Sequence, residues 1–280
     1  MNILRDYYRA FGRSVRFMAE LIINNYSASY KSNKKKNVDS RIVKDVSLEV
    51  TSNDILGIVG ESGSGKTTLA KGILGQLKLT EGEILIDGEN LEKLPQKTIS
   101  RKIQMIFQNP SGSFNPRLKI RTSIEEIRKI HYAGRDDFDY NLRNLLKKTS
   151  LDEELLDRFP AQLSGGQLQR LSIVRALLIE PEFLIADEAV SALDVSIRGD
   201  ILKLLEKLHK ELEIGIIFIS HDLNVVHHIC NKVIVLYHGV IVEAGETDGI
   251  YKNPQHDYTK LLLSSKTKTH PDEGVSEKVG

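Results

Sequence analysis

Apolar and polar positions fall into short blocks with two different periods. Residues 19–30 form a strand-like run that ends on Tyr30. Residues 41–50 alternate, with Ile42, Val43, Val46, Leu48 and Val50 set among polar neighbours. A period of two marks a half-buried strand, so the pair predicts a hairpin around the basic segment 31–40, KSNKKKNVDS. Asp54–Val59 is a short continuous apolar run, as expected of a strand covered on both faces. Residues 82–91, GEILIDGENL, predict a second hairpin turning at Asp87-Gly88. Ile103–Phe107 predicts another strand. From Ser111 to about Ser164 the period lengthens: SIEEIRKIHYAG and DYNLRNLLKKTSL space their apolar residues as helices do. The α/β pattern then returns. It predicts helix 164–179, strand Phe183–Ala186, helix 195–213, strand Ile214–Ile219, helix 222–229, and the strand pair Lys232–Tyr237 and Val240–Glu243. Residues 266–280 show no apolar period and read as a disordered tail.

Composition narrows the function classes. The 280 residues suit one large α/β unit or two domains. Lys plus Arg number 39 against 38 Asp plus Glu, which argues against a nucleic-acid binder. Cys230 stands alone, so a disulfide framework and a cysteine-ligated cluster are excluded within the chain, and a reducing compartment fits. No apolar run reaches the length of about 18 residues needed to cross a bilayer. Residues 1–17 are basic, lack a small-residue cleavage site and read as an N-terminal extension. Two readings stay open there: a solvated terminus, or a membrane-surface helix with Tyr7, Tyr8, Phe11 and Phe17 on its apolar side.

The chemistry concentrates in three motifs. Gly60-Glu61-Ser62-Gly63-Ser64-Gly65-Lys66-Thr67 follows a strand and opens a helix, the context a phosphate loop requires. Its glycines let backbone N–H groups converge on phosphate oxygens at a helix N-terminus. Lys66 supplies positive charge to the β- and γ-phosphates, and Thr67 offers a hydroxyl to Mg2+. Asp187-Glu188 ends a buried strand, where α/β sheets bind ligands. Asp187 there reaches Mg2+ through water, and Glu188 takes a proton from an attacking water. Taken alone, the two acids could equally cap the next helix. Leu163-Ser164-Gly165-Gly166-Gln167 makes a second bare helix N-terminus fit for phosphate. One ATP does not need two such ends from one chain, so this one is expected to serve the ATP of a partner.

With these residues in order, the sequence resembles the ATP-binding subunit of an ABC transporter over about residues 19–263. The family's segments read here as Tyr30, Gly60–Thr67, Gln108, Ser164–Gln167, Ile185–Glu188, Ser191–Asp194 and His221. The resemblance implies an α/β fold: a P-loop NTPase (RecA-like) core with an N-terminal antiparallel β subdomain and an inserted α-helical subdomain at about 111–165. The whole ATPase domain spans 18–265. It also implies roles. Tyr30 would stack on adenine, with Tyr26 as a competitor, and the phosphate loop with Thr68 would hold the phosphates. Gln108 would touch Mg2+ and the attacking water, and His221 the γ-phosphate. Asp194 would sit at a dimer interface near the partner's phosphate loop. His227 and His228 suggest a metal pair, but neighbours on a helix point apart.

FQNPSGSFNPR (Phe107–Arg117) and NPQHDYTKLLL (Asn253–Leu263) resemble the peptide and nickel uptake branch, and DEAVSALDVSI (Asp187–Ile197) its F- or E-type second ATPase. That implies a head-to-tail heterodimer with a paralogous ATPase, two integral membrane permeases and an extracytoplasmic substrate-binding protein. It also implies residence at the cytoplasmic face of the membrane, with ATP and Mg2+ as cofactors and no nucleic acid. The alternative is an accessory ABC ATPase of a non-transport complex such as phosphonate degradation.

Overall fold

A computed structural model describes residues 18–29, 41–77 and 79–267. The expectations for residues 1–17, Tyr30, the loop 31–40 and the tail beyond Thr267 lie outside that range.

Two sheets carry the fold. The first is antiparallel and is built from β1 (Glu20–Ala28), β2 (Val43–Thr51), β4 (Leu79–Ile86) and β5 (Glu89–Asn90), in the order β2-β1-β4-β5. β1 and β2 are the predicted hairpin, paired from Glu20 opposite Thr51 to Ala28 opposite Val43. β1 also pairs with β4, a contact across more than fifty residues that alternation does not encode. The Asp87-Gly88 turn is present, with both residues at positive φ (52° and 79°).

The second sheet contains β3 (Ile55–Val59), β6 (Ile103–Ile106), β7 (Phe183–Asp187), β8 (Gly215–Ile219), β9 (Lys232–Tyr237) and β10 (Val240–Glu246). Its order is β10-β9-β3-β8-β7-β6, parallel except for β10. β3 (ILGIV) and β8 (GIIFI) are buried at every position, which is why they read as continuous apolar runs. Their side chains divide between two cores. Leu56, Ile58, Ile217 and Ile219 pack with Leu69 and Ile73 of helix α1 (Lys66–Ile73) and with β1, β2 and β4. Val59, Ile216 and Phe218 face the opposite core, which includes helices α5 (Gly165–Leu177) and α6 (Val195–Leu212).

Between β6 and α5 lies the predicted helical part: α3 (Ile120–His131), α4 (Phe138–Lys148) and short single-turn segments. Its apolar stripes, Ile120, Ile124 and Ile127 on one helix and Phe138, Leu142, Leu145 and Leu146 on the other, are buried against the α5 side of the core. Three further helices were not anticipated: α2 (Gln96–Lys102), α8 (Thr247–Lys252) and α9 (Asp257–Thr267), alongside the expected α7 (Leu223–Ile229). The first two have seven and six residues, too short for a helical period to declare itself. The tail expected from residue 266 begins on the last turn of α9.

Two polar clusters lock strands together. Lys102 at the end of α2 reaches Asp87 of the β4–β5 turn at 2.6 Å and Glu182 before β7 at 3.0 Å, joining the two sheets. Asp54 accepts from the Thr51 amide and hydroxyl at 2.8 and 2.7 Å, and from Asn231 and Lys232 at 3.0 Å each. It ties the entrance of β3 to that of β9.

Candidate active site

Four parallel strands end at one level. The register sets Ile58 beside Ile219, Ile219 beside Asp187, and Ile106 beside Ala186. The segments leaving β3, β8, β7 and β6 are therefore neighbours, and they carry the phosphate loop, His221, Asp187-Glu188 and Gln108.

The phosphate loop turns on glycines at φ 151° (Gly60), 83° (Gly63) and 108° (Gly65). A Cβ on Gly60 would come within 2.2 Å of the Leu236 carbonyl oxygen, whereas one on Gly63 would meet nothing within 4 Å. The first glycine lets the loop lie on the end of β9, and the second leaves its open face clear. Gly239 of the β9–β10 turn donates its N–H to the Ser64 carbonyl at 2.9 Å. Lys66 is buried and folds back on the loop, its Nζ donating to the Gly60 and Glu61 carbonyls at 2.8 and 2.7 Å. Burial pulls its pKa down, and the nearby charges of Glu188, Asp187 and Glu61 oppose that fall.

Thr67, in the first turn of α1, donates its hydroxyl to Asp187 Oδ2 at 3.2 Å. Burial raises the pKa of Asp187 above the usual carboxylate value; the Thr67 bond opposes the rise and the Glu188 charge adds to it. A carboxylate in that position gains from a nearby cation. The next residue, Glu188, adopts the left-handed conformation at φ 48° and donates its N–H to Ile219 O at 2.9 Å. For a residue with a Cβ this conformation costs about 1–2 kcal/mol. It turns the side chain out of the strand line, where both oxygens are engaged. Gln108 Nε2 donates to Oε2 at 2.9 Å, and His221 Nδ1 lies 3.1 Å from Oε1. Ser191 completes the cluster, its Oγ donating to Glu188 O at 2.9 Å and accepting from Gln108 Nε2 at 3.3 Å.

Ser164–Gln167 form a second group. The Ser164 hydroxyl accepts from Gln167 N at 3.2 Å, and Gln167 Oε1 accepts from Ser164 N at 3.0 Å, capping α5 reciprocally. Ser164 and Gly165 are exposed. Gly166 is buried because Ile197 of α6 leaves no room for a Cβ, which would sit 2.9 Å from it. Asp194 is exposed as the residue preceding α6. Among the loop residues, Ser62 is exposed, while Ser64 and Thr68 are buried beneath the turn. Tyr26, the alternative adenine platform, is fully buried with its hydroxyl over Gly72. It is a core residue with no ring face to offer a ligand. His227 stacks on Tyr251 at 4.4 Å and meets Asp248 at 3.2 Å, a surface role. Among the described residues no group of three or more His, Cys, Asp or Glu side chains is arranged to hold a metal.

Two residues of the site, Arg198 and Tyr258, were given no role in the motif reading, and Ser191 stood there only as the start of the segment Ser191–Asp194. Ser191 carried a signal, as a hydroxyl three positions after Glu188. Arg198 lies 3.4 Å from Asp222 and donates weakly to the Ser191 and Leu193 carbonyls, bridging the segment after β7 to that after β8. Tyr258 of α9 accepts a hydrogen bond from Glu61 N at 3.0 Å. Nothing in local sequence announces a contact across nearly two hundred residues.

Comparison with known proteins gives a consistent result. The family described as "ABC transporter" matches residues 43–191. The oligopeptide transport ATP-binding protein OppF of Streptococcus mutans is 40% identical over 254 residues, covering 89% of this chain and 82% of that protein. The oligopeptide transport ATP-binding protein AmiF of Streptococcus pneumoniae is 40% identical over 249 residues, covering 87% and 80%. Among solved structures, the dimeric post-hydrolysis state of the ATP-binding cassette MJ0796 bound to ADP and Pi matches with a TM-score of 0.70 at 29% identity, covering 81% of this chain and 98% of that one.

Proposed function

The chain belongs to the ABC transporter ATPase family, and from that premise we propose that it powers peptide import as one half of a head-to-tail pair with a paralogous ATPase. It binds and hydrolyses ATP, and it shares its fold, a P-loop core with an antiparallel β subdomain and inserted helices, with the solved ATP-binding cassettes. The names of its relatives favour oligopeptide import over nickel uptake and over a non-transport complex. Permeases and an extracytoplasmic binding protein complete such an importer. No helix among the described residues is long and apolar enough to cross a membrane. That is in keeping with a peripheral subunit docked on permeases at the cytoplasmic face. In this reading residues 18–265 are the ATPase domain, with 111–165 as its helical subdomain.

The observation that carries the reading is the Glu188 carboxylate, held between Gln108 and His221 beside Lys66 and Thr67. We assign residues as follows. The phosphate loop, Gly60 to Thr67 with Thr68, cradles the phosphates through its amides. Lys66 moves from the Gly60 and Glu61 carbonyls onto the β- and γ-phosphates. Glu188 accepts the proton of the attacking water, and His221 and Gln108 orient the γ-phosphate and that water. Proton removal by a placed base gives about 10²–10⁴ in rate. Positioning and charge supply the rest, as in phosphoryl transfer generally. The Thr67 hydroxyl, the Asp187 carboxylate and the Gln108 amide are hard oxygen donors that suit Mg2+, which spreads the phosphate charge when bound. Tyr30 stacks on adenine. Ser164, Gly165, Gly166, Gln167 and Asp194 address the partner's ATP.

Uptake of a labelled short peptide, compared in cells carrying the wild-type chain or Lys66→Ala, tests the function. Loss of uptake in the variant is the expected result. Unchanged uptake in a strain with no redundant importer overturns the peptide assignment.

A further inference from the structure

Helix α9 begins beside the phosphate loop. Glu243 of β10 accepts the Gln255 and His256 amides at 2.9 and 3.1 Å, which anchors the turn into α9. Tyr258 N donates to His256 Nδ1 at 3.1 Å, so the first turn of the helix is fixed. The Tyr258 ring lies 4.1 Å from the Tyr237 ring at the end of β9. Tyr258 is 7% exposed, and burial pushes its phenol pKa up, so the hydroxyl is neutral. That hydroxyl accepts the Glu61 N–H. The same residue, Glu61, accepts Lys66 Nζ on its carbonyl. One residue of the loop is thus held at both ends, by a side chain from the far end of the chain and by the lysine proposed to meet phosphate.

We propose that Tyr258 is a positioning residue of the phosphate loop, fixing Glu61 so that the loop amides are preset for phosphate. The inference rests on the phosphate-loop reading above. A loop held in its binding shape loses less freedom when ligand arrives. The segment that supplies the tyrosine, Asn253–Leu263, lies outside the residues 43–191 matched by the family. The tether is contributed by the C-terminal helix α9.

Tyr258→Phe removes only the hydroxyl and keeps the ring against Tyr237. A hydrogen bond of this kind corresponds to about 3- to 10-fold in an equilibrium constant. Binding of a fluorescent ATP analogue to the full-length chain is expected to weaken by that factor, with a melting temperature within about 5 °C of wild type. Hydrogen exchange of the peptide bearing Glu61 is expected to quicken. In the assembled transporter KM for ATP rises while kcat stays within twofold. Tyr258→Leu, which also loses the ring contact, lowers the melting temperature as well. An affinity for Tyr258→Phe within twofold of wild type, with unchanged exchange, overturns the proposal, and so does a loss confined to kcat. Lys66→Ala measured alongside separates the two readings. If Lys66→Ala loses nucleotide affinity while Tyr258→Phe does not, only the tether fails. If Lys66→Ala binds and turns over as wild type, the phosphate-loop reading fails with it.

Discussion

At Glu188 an acid at a strand end meets a left-handed backbone turn, and its carboxylate is held by Gln108 and His221. Its chemistry was legible, because an acid after a buried apolar run lies where α/β sheets bind ligands. Its backbone was not. The left-handed turn at φ 48° depends on the Ile219 carbonyl of a strand about thirty residues away. Arg198 and Tyr258 escaped the reading for the same reason: their value lies in contacts between segments far apart in the chain and not in local pattern. Glu188→Gln keeps the shape and an oxygen for His221 but removes the base. ATP hydrolysis is expected to fall about 10²- to 10⁴-fold, while nucleotide binding persists and an ATP-bound dimer accumulates on size exclusion. Hydrolysis at the wild-type rate would remove Glu188 from its assigned role.

At the scale of elements, the apolar runs gave β3, β7 and β8 nearly to the residue, since a strand covered on both faces leaves no polar position to blur its ends. Short amphipathic pieces such as α2 and α8 carried too few residues to show a period. The pairing of β1 with β4 was hidden because a strand's alternation states which face is buried but not which neighbour it takes. Asp54 illustrates an energetic feature of the same kind. Burial pushes its carboxyl pKa up, but the bonds from Thr51, Asn231 and Lys232 outweigh this and hold it below the ordinary value of 3.8. A lowered carboxyl pKa stabilises the fold above the unfolded-state value, and the gain disappears as pH falls through the folded-state value. Asp54→Asn is expected to destabilise by about 1–3 kcal/mol at neutral pH. The gap from wild type in urea unfolding should hold down to about pH 5 and close as the pH drops below 3.8. A gap independent of pH would show that the charge of Asp54 is not what binds β3 to β9.

For the whole molecule, the sequence could name the motifs but could not bring them together. Strand order β9-β3-β8-β7-β6 sets the phosphate loop, His221, Asp187-Glu188 and Gln108 side by side. It leaves Ser164–Gln167 as a separate group whose polar side chains cap their own helix. That division is in keeping with a site completed by a second chain. Ser164→Arg puts a long cation on that exposed helix end and loses its cap, at a cost of about 1 kcal/mol. Turnover in the assembled pair is expected to fall at the partner's ATP, while nucleotide binding at this chain's own loop is retained, as read by a fluorescent analogue on the isolated chain. Equal loss of binding at that loop would contradict a role in trans.

The support beneath the phosphate loop has a consequence for how the protein tolerates change. Much of what β9 and its turn present to the loop is main chain: the Leu236 carbonyl under Gly60 and the Gly239 N–H on Ser64. Gly239 is itself pressed against Ile42, whose carbonyl oxygen would lie 2.1 Å from any Cβ there. The main-chain part of this support requires the glycine, while the Leu236 side chain near Gly65 and the Tyr237 ring against Tyr258 add side-chain support of their own. Spacing cannot drift. One residue inserted between Tyr237 and Val240 would slide the wrong peptide under the loop, so the hairpin's length is fixed by the loop it carries.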